Sequence, residues 1–333
     1  MLKSTLKYSF LLIYGEIMKI SNKSLQKYVY GVYQTKIEKG YLGFYHYDDK
    51  QMDYLLNRDA SFWYPRSKFS SSVTLEFKTK STFISFDYKI VEVGSYDSVD
   101  VYVNSFPYQV VKADGLGNKG TLSFSLPEGD KKITVYFPID LNLQIKNFVT
   151  EQPLRKIKKS HKVLWLGDSI TQGYGTFLTG ETYVNVANRT LNYDILNQGI
   201  GGYIFDSKIL TKMDGYTPDK IIVSFGTNHY KADDFLGQVS AYFKQLNAIY
   251  KDIKTLVITP IFRCDDGSDL EKLKWAGKEI ERICSAYSNV AVVNGFTLVP
   301  NLAQYFFDGL HPNALGANYY GKNLVEFIKK IKF

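Results

Sequence analysis

Cysteine and histidine are scarce in this chain. Two cysteines, Cys264 and Cys284, and four histidines, His46, His161, His229 and His311, stand among 333 residues. The cysteines fall in no metal-ligand spacing, which favours free thiols of a reducing compartment, with a single disulfide as the alternative. No Gly-rich phosphate loop, CxxC pair or His-rich cluster occurs, so no cofactor, nucleotide or metal is expected. Nucleic-acid-binding motifs are also missing, and neither a nucleic-acid nor a membrane partner is expected. The charge of +8 comes from 41 Lys and Arg against 33 Asp and Glu. Its lysines are spread along the whole chain, and the densest run, Arg155 to Lys162, reads as a domain junction rather than a polyanion-binding patch.

Apolar side chains, by contrast, are plentiful. Hydrophobic residues make up 45% of the chain and aromatics 16%, with 27 Tyr and 22 Phe, which excludes disorder and supplies packed cores. The length exceeds the usual single domain, so two domains are expected, spanning 27–152 and 153–333 after an N-terminal segment of 1–26. Lys3 and Lys7 followed by Tyr8 to Tyr14 imitate a secretion signal. That stretch sits at the lower limit of length, however, Glu16 breaks the apolar run beyond it and no small-residue cleavage site appears. A cytoplasmic protein is the expectation, with secretion left open and Met18 an alternative start.

From about Tyr28 to Thr150 apolar residues alternate as in strands. The runs are Val73, Leu75, Phe77; Ile84, Phe86, Tyr88, Ile90; Val99, Val101, Val103; Leu122, Phe124, Leu126; and Ile133, Val135, Phe137. Asp114-Gly115, Gly117-Asn118 and Glu128-Gly129-Asp130 supply turns between them. With no long amphipathic helix evident in this stretch, an all-β sandwich of jelly-roll type is predicted. After the basic junction the rhythm becomes strand, loop, helix. Val163 to Leu166, Ile195 to Leu196, Ile221 to Phe225, Leu256 to Thr259 and Val290 to Val293 read as buried parallel strands. Phe235, Val239, Phe243, Leu246 and Ile249 form one helical stripe, and Leu270, Leu273, Ile280 and Ile283 another. The second domain is therefore predicted to be α/β, a three-layer α/β/α flavodoxin-like fold with its ligand at the carboxyl ends of the strands.

Four short segments carry chemistry there: Gly167-Asp168-Ser169-Ile170-Thr171, Asn197-Gln198-Gly199-Ile200-Gly201-Gly202, Gly226-Thr227-Asn228 and Asp308-Gly309-Leu310-His311-Pro312-Asn313. A hydroxyl nucleophile needs a base, a carboxylate to orient the base, and neutral donors for the oxyanion formed on the attacked carbonyl. Ser169, His311 and Asp308 can fill the first three roles. The backbone N–H of Ser169, a glycine N–H and the Asn228 amide can fill the last. Each residue also has a plainer reading: Ser169 or Asp308 as a helix cap, the glycines and Asn228 as turn formers.

With these segments in this order, the second half of the chain resembles the SGNH/GDSL hydrolase superfamily. The resemblance implies a Ser169, Asp308, His311 triad and selects Gly202 as the glycine donor. His229 and Tyr203 depart from the family pattern, which often has acidic residues at both places, and together with Asp168 they are candidates for shaping a substrate pocket. A β-sandwich before such a domain is similar to the arrangement of several bacterial carbohydrate esterases. This implies a short-chain, above all acetyl, ester substrate, small or oligosaccharide, with acyl transfer or lipase activity as alternatives. Phe44, Tyr45, Tyr47, Phe62, Trp63 and Tyr64 could offer stacking surfaces for sugar, or be core.

Overall fold

A computed structural model describes residues 17–95 and 97–333 of the chain. Lys3, Lys7, the Tyr8 to Tyr14 stretch and Glu16 lie outside the described residues. Twelve short strands build the first domain: β1 (Met18–Ile20), β2 (Val29–Tyr30), β3 (Gln34–Glu38), β4 (Tyr41–Tyr45), β5 (Thr74–Thr79), β6 (Phe83–Val93), β7 (Ser98–Val103), β8 (Phe106–Lys112), β9 (Lys119–Ser125), β10 (Lys131–Tyr136), β11 (Leu141–Thr150) and β12 (Arg155–Lys156). One sheet runs β3-β4-β11-β6-β9 with β1 on β11, and the other runs β12-β5-β10-β7-β8 with β2 on β5. The alternating apolar residues of both sheets meet in one core, where Phe77, Phe86, Phe124, Phe137 and Phe148 are almost fully buried. Period-two burial of this kind makes a sandwich.

Two boundaries differ from those expected. The segment assigned to the N-terminus joins the sandwich from Met18, which pairs with Thr150, and α1 (Asn22–Leu25) buries Leu25 in its core. The basic junction is not a free linker either. Arg155 and Lys156 pair with β5, and Lys159 places its ammonium 2.5 Å from Glu76, whose carboxylate is also 3.3 Å from Lys132. Burial raises the Glu76 pKa, but the two lysines outweigh it and hold the carboxyl below its ordinary value.

A third difference matters more for the site. Between β4 and β5 the chain leaves the sandwich to form α2 (Asp49–Arg58) and α3 (Trp63–Arg66), where the sequence pattern points to no helix. Asp48 and Gln51 make a reciprocal capping box at the start of α2. The helix buries Leu55, with Tyr47 just before it, in the core of the second domain rather than its own. Local alternation could not reveal this, because the partner surface lies over a hundred residues away in sequence.

The second domain has five parallel strands, β13 (Lys162–Gly167), β14 (Asp194–Gly199), β15 (Lys220–Ser224), β16 (Lys254–Ile258) and β17 (Val290–Val293), in the order β14-β13-β15-β16-β17. Its helices are α4 (Ser169–Gln172), α5 (Tyr183–Leu191), α6 (Phe235–Tyr250), α7 (Leu270–Cys284) and α8 (Ala314–Lys330). Side chains alternate across the sheet. Leu164 and Leu166 enter the core beneath α6 and α7, while Val163 and Trp165 enter the core beneath α5 and α8. The strand order reverses at β13, and the crevice beyond its carboxyl end is where such sheets bind ligands. Cys264 is exposed, Cys284 is buried, and the two are not bonded. Among the described residues no helix is long and apolar enough to cross a membrane.

Candidate active site

Gly167 ends β13 and Asp168 opens α4, its Oδ1 accepting the Ile170 N–H at 3.0 Å. Capping is thus the work of Asp168, and Ser169 is left as the first helical residue with its hydroxyl elsewhere. Ser169 Oγ lies 2.8 Å from His311 Nε2. On the far side of the ring, His311 Nδ1 donates to Asp308 Oδ2 at 2.7 Å. This carboxylate fixes the tautomer, so that Nε2 is the acceptor of the serine proton.

The Asp308 to Asn313 loop is tied down from several sides. Asp308 Oδ1 accepts the N–H groups of Leu310 at 3.0 Å and His311 at 2.8 Å. Burial alone would raise the Asp308 pKa, yet these bonds and the His311 ring together hold it below the ordinary carboxylate value. The cap of α8 is not Asp308 but Asn313, whose Oδ1 accepts the Gly316 N–H. Phe307 donates to the His311 carbonyl at 2.8 Å, and Tyr174 meets the imidazole edge-on at 4.7 Å between centroids. Gly175 permits this approach: it has φ +97°, and a Cβ there would stand 2.7 Å from the His311 Cβ.

A cavity of about 270 Å³ opens over the serine and histidine. Gly202 and Asn228 line it with Ser169 and His311, as do Gln172, Tyr174, Gly201 and Leu310. The sandwich side contributes Phe62, Arg66 and Asp140 to the same wall. Gly202 has φ +73°, and a Cβ there would fall 2.9 Å from the Phe62 ring. Asn228 Nδ2 donates one hydrogen to the Tyr203 carbonyl at 2.9 Å, which orients the amide and leaves a second hydrogen. A wider cavity of about 550 Å³, bordered by Tyr54, Asp206 and Gln238, contains none of these groups.

Residues 165–318 match the GDSL-like lipase/acylhydrolase family. The α/β domain belongs to the SGNH/GDSL superfamily. No curated protein matches the chain in sequence. In fold, 95% of the chain is similar to 98% of the salicylyl-acyltransferase SsfX3 from a tetracycline biosynthetic pathway, at 16% identity and a TM-score of 0.78. The same share is similar to 98% of the acetyl xylan esterase Est2A from the rumen bacterium Butyrivibrio proteoclasticus, at 14% identity and 0.64. A family two carbohydrate esterase from Clostridium thermocellum is matched over 79% of this chain and 93% of its own, at 15% identity and 0.62. At such identities the likeness is one of fold.

Three residues assigned to the pocket of this SGNH domain do not line it. Asp168 lies beneath, its carboxyl pushed up to about 7 chiefly by burial. Tyr203 is buried against Trp63, with its hydroxyl donating to Asp206 at 3.1 Å. His229 packs between Phe205 and Phe235, and burial lowers its pKa to about 4. Each neighbours a cavity residue in sequence, but its own side chain packs away from the cavity. Of the aromatic stretch, only Phe62 reaches the cavity; Phe44 is sandwich core and Tyr47 interdomain core.

Proposed function

We propose that the protein is a serine esterase of the SGNH type that removes short acyl groups, acetyl above all, from a hydroxylated substrate of carbohydrate class. The observation that carries this reading is the unbroken line Asp308 Oδ2, His311 Nδ1, His311 Nε2 and Ser169 Oγ, with contacts of 2.7 and 2.8 Å, opening into a cavity that also holds Gly202 and Asn228. Ser169 attacks the ester carbonyl as its proton passes to His311. The oxyanion is met by the Ser169 and Gly202 N–H groups and the Asn228 amide, and His311 then gives the proton to the departing alkoxide. Water, deprotonated by His311, releases the acyl group. The small cavity suits a short acyl chain, and the architecture shared with an acetyl xylan esterase and a family two carbohydrate esterase supports a sugar ester.

A second reading, transfer of the acyl group to another hydroxyl, is favoured by the likeness to the salicylyl-acyltransferase over nearly the full length of both chains. The triad serves both, since only the acceptor of the second step differs. One experiment separates the readings: aryl esters of two to ten carbons and acetylated xylo-oligosaccharides are supplied with and without acceptor alcohols, and free acid and transferred ester are counted. The proposal expects rates to fall beyond about four carbons and free acetate to dominate. Fast long-chain cleavage points to a lipase, and transfer ester as the main product points to an acyltransferase.

A further inference from the structure

We infer that Arg66 makes the cavity beside Ser169 a site for an ester that bears a carboxylate. This deepens the esterase reading and rests on it. Arg66 ends α3, the short helix that the first domain sends over the oxyanion loop, and its side chain lines the cavity with Ser169 and His311. Its guanidinium lies 3.7 Å from the centroid of the Phe62 ring, and one terminal nitrogen donates to the Phe62 carbonyl at 3.0 Å. These two contacts fix the plane of the group. It also lies close over the loop that carries Gly202, since a Cβ placed on Gly201 would lie 3.2 Å from the Arg66 Nε.

What the guanidinium lacks is an anion at ion-pair distance. No carboxylate of the described residues comes within 4.0 Å of it, whereas Arg155, Arg189, Arg263 and Arg282 each have one. The nearest candidate in the cavity wall, Asp140, spends its Oδ1 on the Gln172 amide at 2.8 Å. Burial dominates that carboxyl and raises its pKa, while the Arg66 charge is among the influences that lower it, so Asp140 is a neighbour across a gap rather than a paired counter-ion. Arg66 Nε and its second terminal nitrogen make no hydrogen bond with the described residues, so the guanidinium stands in the cavity wall with donors to spare. A guanidinium held flat, half shielded from water and without a contact ion pair is built for a carboxylate, which it can grip with two parallel bonds. A neutral sugar hydroxyl would use one donor and leave the charge uncompensated.

The carboxylate could belong to the acyl group or to the alcohol portion, and two matched ester pairs tell these apart. On the acyl side, mono-4-nitrophenyl glutarate is compared with 4-nitrophenyl pentanoate; on the alcohol side, 4-acetoxybenzoate is compared with its methyl ester. The wild type is expected to prefer the anionic member of one pair by about 10- to 100-fold in kcat/KM, Arg66→Ala to lose that preference, and Arg66→Lys to retain part of it. A wild type that turns over the neutral members as well as the anionic ones in both pairs, or a preference that survives Arg66→Ala, overturns the inference. Turnover of none of the four would count against the esterase reading, and binding then decides about Arg66. In the Ser169→Ala protein, glutarate or 4-hydroxybenzoate should bind at least about tenfold tighter than the corresponding amide, a margin lost on adding Arg66→Ala. Equal binding of acid and amide overturns the proposal.

Discussion

Gln172 joins Asp140 to Gly201: its amide nitrogen donates to Asp140 Oδ1 at 2.8 Å, and its amide oxygen accepts the Gly201 N–H at 2.6 Å. Asp140 is itself fixed, its backbone N–H donating to Asp97 Oδ2 at 2.8 Å and its carbonyl accepting from Gly94. The loop that carries Gly202 is thereby referenced to the sandwich. Gln172→Ala should lower kcat about 10- to 100-fold with a smaller change in KM, because the donor is misplaced rather than the substrate site removed. Asp140→Asn, which keeps an acceptor, should cost less than Asp140→Ala. Steady-state kinetics on an aryl acetate, with circular dichroism as the check on folding, measures both.

The Asn228 amide is held toward the cavity by the Tyr203 carbonyl. Removing it in Asn228→Ala should reduce kcat about 100- to 1000-fold while leaving KM within a few-fold, the pattern of a donor used in the transition state. A large rise in KM at constant kcat would assign Asn228 to ground-state binding instead.

Asp308 accepts three hydrogen bonds from its own loop, two from backbone and one from the ring. Asp308→Ala should therefore cost about 100- to 10,000-fold in kcat, since the imidazole loses both its tautomer and the charge that stabilises imidazolium. Asn313→Ala, at the cap of α8, should instead lower stability by about 1 kcal/mol with activity at saturating substrate largely kept. Comparing the two by kinetics and urea unfolding separates the chemistry of this loop from its scaffolding.

His46 sits in the interdomain core, where its Nε2 donates to the Ser71 carbonyl at 3.0 Å and its own carbonyl accepts from Gln198 at 2.7 Å. Burial lowers its pKa from 6.5 to about 4. Because the unfolded chain takes up this proton first, stability is full above about pH 6.5 and is lost as pH falls toward 4, by on the order of 3 kcal/mol. His46→Gln lacks this loss, so the gap in unfolding free energy between wild type and variant should shrink by most of that amount between pH 7 and 4.5. A gap that does not change with pH would show that the folded protein protonates His46 as readily as the unfolded chain does.

Sequence reading captured what is local or periodic. Alternation marked β5, β6, β7, β9 and β10 because their side chains share one core, and the five apolar runs marked the parallel sheet because both of its faces are covered. Ser169, Asn228 and His311 could be picked out as residue types that acyl chemistry uses, Gly202 only through the family resemblance, and all four line one cavity. The other half of the cavity was not legible in this way. Phe62, singled out only as one of six possible stacking aromatics, and Arg66 arrive at the two ends of α3, and Asp140 on the turn before β11, so their place beside Ser169 depends on how two domains dock. Asp168, Tyr203 and His229 do not line the cavity although each adjoins a residue that does, because which of two consecutive residues meets a cavity is set by the fold of the backbone there. For α2 a signal was present in the Asp48, Gln51 capping pair, but it was masked by the strand rhythm on either side.

The most direct test is hydrolysis of 4-nitrophenyl acetate by wild type, Ser169→Ala and His311→Ala, with intact-mass analysis of rapidly quenched samples. Wild type should turn over and carry one acetyl group on Ser169, and both variants should lose about 1000-fold or more in kcat, with no acetyl adduct in Ser169→Ala. Full activity in Ser169→Ala, or an acetyl group found on another residue during turnover, would contradict the account.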